Sequence, residues 1–454
     1  MSRFRDIDWR AALVSLESSR SAALVPVAVA VFLGLFAIGD KSMWLDEAFS
    51  ISLVKMPTVD MLVYLWRNEL HASPYYLLLH PWSWLGYGEV PARALSVLIG
   101  AAGVAATYAV GRRYGVGFRA ALLLAIFPTF VQFEQEARGY TLLVASSALT
   151  TLAYLRLVEQ PGKLRAAAYA ATAATMIYVH PLGALVIVAH ALHAAVGTTV
   201  GQRRLMTGVY AAVLVGWLPM FRFALLNRGK ISWIPPLSVS TATAELVALA
   251  GGTAVAAVVV VLVALRLRRD VPGLWLTVPI FGALLISAFV QPILQAKYLI
   301  AVLPAMSIVA AQNRLRGLAV LVIVCLIAVS SWYTDGEKDD WRSAAAWIGS
   351  QAEATDGVVF SPHYARLAFE YYGEIGVPLY PSVAWDQFYM PAWGLDIGLP
   401  PDADRFSRIW LIEAFGFRAA AEVWSLLSGY DVATSRDFGR LGPWVRLMVR
   451  RSSD

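Results

Sequence analysis

The residues best suited to chemistry are two adjacent carboxylates, Asp46 and Glu47, which follow the first long apolar stretch of the chain in the sequence WLDEAFS. Acidic side chains at a membrane face cost free energy unless they are paired or functional. A carboxylate pair in such a place suits a general base, a cation site or both. The alternative is an ordinary solvated pair in a loop.

A second group of charges lies in the polar segment VQFEQEARGY, which contains Glu134, Glu136, Arg138 and Tyr140. Arg138 either pairs with Glu136 or binds a phosphate, because the planar guanidinium matches the geometry of phosphate oxygens. In the second case Glu136 faces the same cavity as Asp46.

Cations also stand where apolar stretches begin. Lys297 and Tyr298, in QAKY, are suited to holding a lipid phosphate at headgroup level, and so is Arg93. The alternative for each cation is a side chain that extends to the membrane interface beside a belt aromatic.

Histidines form the last group of candidates. His180 lies at the end of an apolar stretch, on the side of the membrane predicted for the acids, and His71 lies in the first loop. A single histidine in an apolar helix is more often a buried, hydrogen-bonded residue than a ligand. His180 is the better candidate for a site residue because it lies on the side predicted for the acids.

The elements that position these residues must be membrane helices. Of the 454 residues, 58% are hydrophobic and 15% are charged, and the mean hydropathy is +0.60. A soluble domain carries about 25% charged residues. Long apolar runs recur along most of the chain, which indicates a polytopic membrane protein rather than a soluble domain with one anchor.

The charge pattern argues for topology signals and against nucleic acid as a partner. The net charge is +6, and the basic residues form short clusters between apolar runs, as the positive-inside rule describes. The one cysteine, Cys325, excludes a disulfide framework and a cysteine-based metal site. The sequence has no Walker loop, no GxGxxG after a strand and no HExxH, which argues against an ATP-driven pump and a zincin.

Run lengths and arginine-rich turns predict about eleven spans with a cytoplasmic N-terminus. Residues 1–20, with Arg3, Arg5, Arg10 and Arg20, form that N-terminus, and 21–333 form the membrane domain. Within it, 40–89 is a first external loop with amphipathic interfacial helices. Residues 334–454 form an extracytoplasmic α/β domain. Spans are expected near 21–39, 91–110, 118–130, 141–158, 164–179, 207–223 and 317–333, with the others between them.

This set of motifs resembles the GT-C superfamily of glycosyltransferases, in the family 39-like branch that holds the protein O-mannosyltransferases and the bacterial aminoarabinose transferases. The motifs that carry the resemblance are WLDEAFS, HASPYYLLLHPWSWLG, GEVPARALS, QFEQEARGYTLL, YVHPLGALVIVAH, AKYLIAVLPA and DDWRSAAAWI. The resemblance implies a GT-C fold and covers most of the membrane region.

The resemblance also implies roles for residues. It gives Asp46 the position of the catalytic aspartate with Glu47 beside it, and Glu136 that of a second acid. Substrate binding then falls to Arg138, Tyr140, His180, Lys297, Tyr298, Arg93 and His71. The chain departs from its relatives at His71-Ala72-Ser73-Pro74, where they commonly have His-Pro-Pro.

By the same resemblance, we expect transfer of a sugar from a polyprenyl phosphate to a hydroxyl of an envelope glycan, a lipid or a protein. Transfer takes place at the outer face of a bacterial cytoplasmic membrane, with inversion at the sugar, and mannose and arabinose-type pentoses both fit. A divalent cation held by Asp46, Glu136 or His180 is left open, and nothing requires a cofactor. The alternatives are a transporter or flippase of a lipid-linked saccharide and a non-catalytic scaffold.

Overall fold

The computed structural model describes residues 15–17, 19–334, 338–373, 375–388, 405–416, 419 and 421–451. The chain forms two compact units. The first contains the residues up to Ile38 together with Pro57–Thr334, and the second contains Gly39–Met56 together with Asp335–Asp454. Most of the predicted N-terminal segment, with Arg3, Arg5 and Arg10, lies outside the described residues.

Helices make up almost all of the chain before residue 335. After a turn at Arg20–Ala23 they are α1 (Leu24–Leu35), α2 (Leu45–Val54), α3 (Thr58–Asn68), α4 (Ser73–Trp82), α5 (Glu89–Gly111), α6 (Gly117–Ala125), α7 (Pro128–Glu134), α8 (Tyr140–Glu159), α9 (Lys163–Val179), α10 (Gly183–Gly197), α11 (Val200–Leu226), α12 (Val239–Ala250), α13 (Thr253–Ala264), α14 (Val271–Phe289), α15 (Ala296–Leu299), α16 (Leu303–Ala311) and α17 (Leu315–Thr334).

Each predicted span coincides with one helix or with a helix pair. Among the described residues, 5 helices are long and apolar enough to cross a membrane, and the number is 7 if each of two bent pairs is one span. The remaining predicted spans coincide with the shorter helices α1, α9, α10 and α15–α16. The chain is thus a multi-pass membrane protein, and the count of eleven stays a prediction.

The two bent pairs break at proline and glycine. The first pair, α6 and α7, is bent by 61°, and Pro128 stands at the start of α7, where its missing N–H is not needed. The second pair, α12 and α13, is bent by 86° at Gly251, whose φ of 84° ends α12 with a left-handed cap.

The segment between the first two spans contains only short helices. α3 has 11 residues and α4 has 10. At ~1.5 Å per residue each is roughly half as long as the ~30 Å of hydrocarbon that a span must cross. Helices therefore form where interfacial helices were predicted, and YYLLLHPWSWLG is too short to span.

The second unit contains a five-stranded sheet. Its elements are α18 (Trp341–Gly349), β1 (Gly357–Ser361), α19 (Arg366–Glu370), β2 (Leu379–Tyr380), α20 (Trp385–Phe388), β3 (Arg408–Glu413), α21 (Ala421–Leu426), β4 (Tyr430–Asp437) and β5 (Trp444–Arg450). The strand order is β2-β1-β3-β5-β4, with β1 parallel to β2 and β3 and with β5 antiparallel to β3 and β4. The predicted C-terminal α/β domain is therefore present.

One helix from the first loop belongs to this second unit. α2 packs against α19, and most of its residues are buried, including Phe49 and Ile51. Burial on all sides is typical of a helix inside a folded core rather than at a surface. The helix that carries Asp46 is thus built into the same unit as the sheet.

Candidate functional site

Asp46 and Glu47 lie in the first turn of α2, where the helix dipole favours negative charge. Asp46 is half-buried, and its carbonyl oxygen accepts a hydrogen bond from Ser50 Oγ at 2.9 Å. Glu47 is fully buried, and its Oε2 lies 3.1 Å from Nζ of Lys338. Two adjacent acids therefore have different surroundings, and Asp46 is the more exposed of them.

Glu136 and Arg138 lie in the short segment between α7 and α8. Glu136 is buried, and its carbonyl oxygen accepts a hydrogen bond from Arg138 N at 2.8 Å. Nη1 of Arg138 donates to the hydroxyl of Tyr76 on α4 at 2.5 Å, and the guanidinium lies 6.0 Å from the centre of the Tyr76 ring. An aromatic residue of the first loop therefore orients the guanidinium.

A second contact joins this segment to α4 and α5. The hydroxyl of Tyr75 lies 2.9 Å from Ser96 Oγ, which donates to the carbonyl oxygen of Arg138 at 3.5 Å. The side chain of Arg138 is thus held by Tyr76 of α4, and its backbone by Ser96 of α5, which lies beside Tyr75.

His180 stands at the end of α9 beside Tyr298, with 4.6 Å between the ring centres. Its Nδ1 accepts the N–H of Leu182 at 3.2 Å. Burial, together with the nearby charges of His71 and Lys297, lowers the pKa of His180 to about 3. The imidazole is therefore neutral at pH 7 and carries its proton on Nε2.

His71 is joined to the same group from the first loop. Its Nε2 lies 3.2 Å from Oε2 of the buried Glu69, and its ring centre is 5.7 Å from that of Phe223 on α11. The neighbouring Ala72 N donates to the carbonyl oxygen of Val179 at 3.2 Å, which ties this loop to the end of α9.

Two lysines complete the cluster. Nζ of Lys297 lies 5.4 Å from the ring centre of Trp233 and 5.7 Å from that of Tyr298. Lys230, in the turn before Trp233, donates to the carbonyl oxygen of Asn68 at 3.0 Å. Burial lowers the pKa of Lys230, and the charge of Glu69 opposes this shift. We call His71, His180, Lys230, Lys297 and Tyr298 the cationic cluster.

A carboxylate on α12 fixes the segment that carries Lys297. Oε1 of Glu245 accepts from Gln295 Nε2 at 3.0 Å, and Oε2 accepts from Ala296 N at 2.6 Å. An acid at the first turn of α15 satisfies backbone N–H groups that the helix leaves without partners.

Two predicted binding residues are deeply buried. Arg93 is 1% exposed, and its Nη1 donates to the carbonyl oxygen of Ile38 at 2.7 Å. Tyr140 belongs to the apolar core, with its ring centre 4.6 Å from that of Phe133. Substrate roles for both stay predictions.

The solved structures to which the chain is similar include two of ArnT from Cupriavidus metallidurans. For the one bound to undecaprenyl phosphate, the TM-score is 0.60 at 14% identity over 96% of this chain and 99% of that chain. For the apo state, the TM-score is 0.57 at 14% identity, over 95% and 98%. The chain has the fold of ArnT. Neither a protein-family model nor a curated protein matches it.

The likeness to ArnT confirms the predicted fold class. A match over nearly the full length of both chains takes in the membrane helices and the C-terminal sheet together. The resemblance seen in the sequence motifs thus led to the right fold, that of ArnT, although the identity to ArnT is only 14%.

Within the first unit of this ArnT-like fold, the structure groups several predicted residues. His180 contacts Tyr298, and His71 and Lys297 lie close enough to affect its charge. The sequence motifs did not point to four further residues with contacts at these sites, which are Tyr76, Glu69, Lys230 and Glu245. A signal existed for Glu69, two residues before His71, and for Lys230, in the basic and aromatic loop NRGKISW.

The metal ligands stay a prediction. Within the described ranges, no three His, Cys, Asp or Glu side chains are grouped in a way that could hold a metal ion. Asp46 belongs to one compact unit and Glu136 and His180 to the other. The convergence of the two acids on one pocket likewise stays a prediction.

Proposed function

We propose that this protein is a membrane glycosyltransferase that moves a sugar from a polyprenyl phosphate to a hydroxyl acceptor. The proposed site of transfer is the outer face of a bacterial cytoplasmic membrane. The observation that carries the proposal is the ArnT fold over nearly the whole chain, shared with a structure bound to undecaprenyl phosphate. The cationic cluster supplies the charge that such a donor requires.

Binding of the donor phosphate is assigned to Arg138 and Lys297. Arginine presents a planar fork of donors, and lysine acts as a compact positive charge. The Tyr76 hydroxyl orients the fork of Arg138, and Glu245 fixes the backbone just before Lys297. The neutral His180 offers a hydrogen bond without adding repulsion between cations.

The reaction is a single displacement. The acceptor oxygen attacks the anomeric carbon and forms the new C–O bond, while the bond from that carbon to the phosphate oxygen breaks. Asp46 takes the proton of the acceptor hydroxyl, a contribution of about 10²–10⁴-fold. The polyprenyl phosphate leaves with the electron pair, and Arg138 and Lys297 stabilise its growing charge. One displacement inverts the configuration at the sugar.

Release of polyprenyl phosphate tests the proposal. The purified protein is reconstituted in vesicles with a panel of polyprenyl-phosphate sugars and a panel of hydroxyl acceptors (envelope glycan, lipid and protein), and the freed lipid phosphate is measured by mass spectrometry. Asp46→Asn should reduce release by about 10²–10⁴-fold, because the amide cannot take the proton. Asp60→Asn is the matched control, since Asp60 is an exposed acid of the same loop at the start of α3.

Two results would overturn the proposal. Normal turnover in Asp46→Asn would remove the base. Transfer of intact donor across the vesicle membrane, with no lipid phosphate released for any sugar of the panel, would identify a flippase instead. Mass spectrometry of the lipid that copurifies with the protein would identify the donor directly.

A further inference from the structure

We infer that Lys338 is a positioning residue for Asp46, and that the part of the second unit that follows residue 337, called the C-terminal unit below, holds the first turn of α2 in its working orientation. The inference rests on the proposed function, in which Asp46 is the base. It goes beyond that function because it gives the C-terminal unit a part in assembling the active site.

The first observation is a buried ion pair. The side chain of Glu47 is 0% exposed and that of Lys338 is 9% exposed, and Nζ lies 3.1 Å from Oε2. Removing two charges from water is unfavourable unless their geometry is good, and the loss of one partner leaves the other charge buried alone. Glu47 is therefore held firmly in one position.

That pair fixes the direction of the neighbouring acid. Successive residues of an α-helix point about 100° apart, because one turn contains about 3.6 residues. Asp46 and Glu47 follow each other in the first turn of α2. When Glu47 is held against Lys338, α2 cannot rotate, and Asp46 keeps a single half-buried direction.

Hydrogen bonds next to the ion pair hold the backbone before α2. The hydroxyl of Ser42 donates to the carbonyl oxygen of Asp339 at 2.5 Å and accepts from Trp341 N at 3.2 Å. Nη2 of Arg342 donates to the carbonyl oxygen of Gly39 at 2.9 Å. Residues 338–342 thus bind the segment 39–47 through both side chains and backbone.

Aromatic residues of the C-terminal unit add a second set of contacts. The hydroxyl of Tyr372 accepts from Met43 N at 2.5 Å, just before α2 begins. Further along α2, the ring of Phe49 meets that of Trp385 edge to face, with 5.6 Å between centres. α2 is therefore held at its start and along its length.

The kinetic consequence differs from that of a donor contact. A misplacement of about 1 Å in a reacting group costs about 10²-fold in rate. An interaction that acts only in the transition state lowers kcat and leaves KM unchanged. Lys338→Met should therefore lower kcat by about 10–100-fold and leave the KM for the donor within about twofold.

The experiment compares four variants of the full chain in the vesicle assay. Lys338→Met removes the charge, and Lys338→Arg should keep kcat close to that of the wild type because it restores the pair. Glu47→Gln with Lys338→Met leaves no charge unpaired, so this double variant should fold and still show the low kcat. Arg451→Met is the control, since it breaks an exposed pair with Asp431 at 2.9 Å in the same unit.

The outcomes separate the two proposals. If Asp46→Asn turns over normally, the proposed function fails. If Asp46→Asn is inactive while Lys338→Met and the double variant keep the kcat of the wild type, only the positioning role fails. If Lys338→Met does not fold, the double variant alone decides, and a kcat equal to that of the wild type would overturn the inference.

Discussion

The orientation of the Arg138 side chain depends on the hydroxyl of Tyr76. Its guanidinium meets the hydroxyl of Tyr76 at 2.5 Å, and its backbone carbonyl accepts from Ser96. Hydrogen bonds to charged groups contribute about 1.5–3 kcal/mol. Under the proposed function, these contacts prepare the side chain for the donor phosphate and have no direct effect on the acceptor.

Replacing Arg138 by alanine should therefore raise the KM for the donor by about 10–100-fold and lower kcat, because the leaving phosphate loses a stabilising charge. The KM for the acceptor should stay nearly unchanged. Tyr76→Phe should act in the same direction but more weakly, because the guanidinium remains. Steady-state kinetics with each substrate varied in turn would measure both effects. A larger shift in the KM for the acceptor would place the phosphate elsewhere.

The lowered pKa of His180 predicts how the stability of the protein changes with pH. Its pKa in the folded protein is about 3, below the usual value of 6.5, because the ring is buried near other cations. Between those two values the unfolded chain binds more protons than the folded chain, so stability falls as the pH falls from 6.5 towards 3. At pH 7 this loss is absent.

The comparison with His180→Gln isolates this effect, since glutamine does not titrate. Between pH 7 and pH 5 the free energy of unfolding of the wild type should fall by up to ~2 kcal/mol more than that of the variant. The unfolding temperature of the wild type should fall further accordingly. Thermal unfolding in detergent would measure the difference. Parallel pH curves for the two proteins would show that His180 is not held neutral by the fold.

At the scale of helices, a buried acid depends on the glycines that face it. Glu134, at the end of α7, is 0% exposed, and neither of its carboxyl oxygens has a hydrogen-bond partner among the residues that the structure describes. A Cβ built at Gly100 on α5 would lie 3.0 Å from its Cγ and 3.1 Å from its Cδ, and closer still to Oε1. The absent side chain at Gly100 is what admits the acid.

Gly100→Ala should therefore destabilise the membrane unit by about 1–3 kcal/mol through overpacking, although alanine is the better helix former. Gly208→Ala on α11 is the control, since no atom of the described part of the chain lies within 4 Å of its Cβ position. Adding Glu134→Ala to Gly100→Ala should recover much of the loss, which a double-mutant cycle in detergent would measure. Additive effects would show that the two positions do not interact.

Most of these elements were predictable from the sequence, because apolar runs and arginine-rich turns report helices directly. Contacts between distant segments were not. Lys338 and Glu47 are separated by 291 positions, and no local pattern marks such a pair. Tyr76 and Lys230 resemble ordinary interfacial residues, and Glu245 lies in an apolar stretch, so their contacts appear only in the folded chain.

At the scale of the whole molecule, the proposed function depends on sidedness. The basic turns GRRYG, QRR, RLRRD and NRLRG all fall on one side in the predicted arrangement. The candidate acids, the cationic cluster and the C-terminal unit are then predicted on the other. An odd number of spans before residue 335 is required, whether or not every short helix crosses the membrane.

Cysteine labelling tests this arrangement. The native Cys325 is buried and is the one cysteine of the sequence, so Cys325→Ala provides a background without cysteine. In that background, single cysteines at the exposed positions Asp60, Arg228 and Ser435 should react with an impermeant maleimide in intact cells. Single cysteines at Lys163 and Arg204 should react only after permeabilisation, because the positive-inside rule places their turns in the cytoplasm. Labelling of Lys163→Cys in intact cells, or protection of Ser435→Cys, would contradict the predicted odd number of spans. The proposed active face would then lie on the wrong side of the membrane.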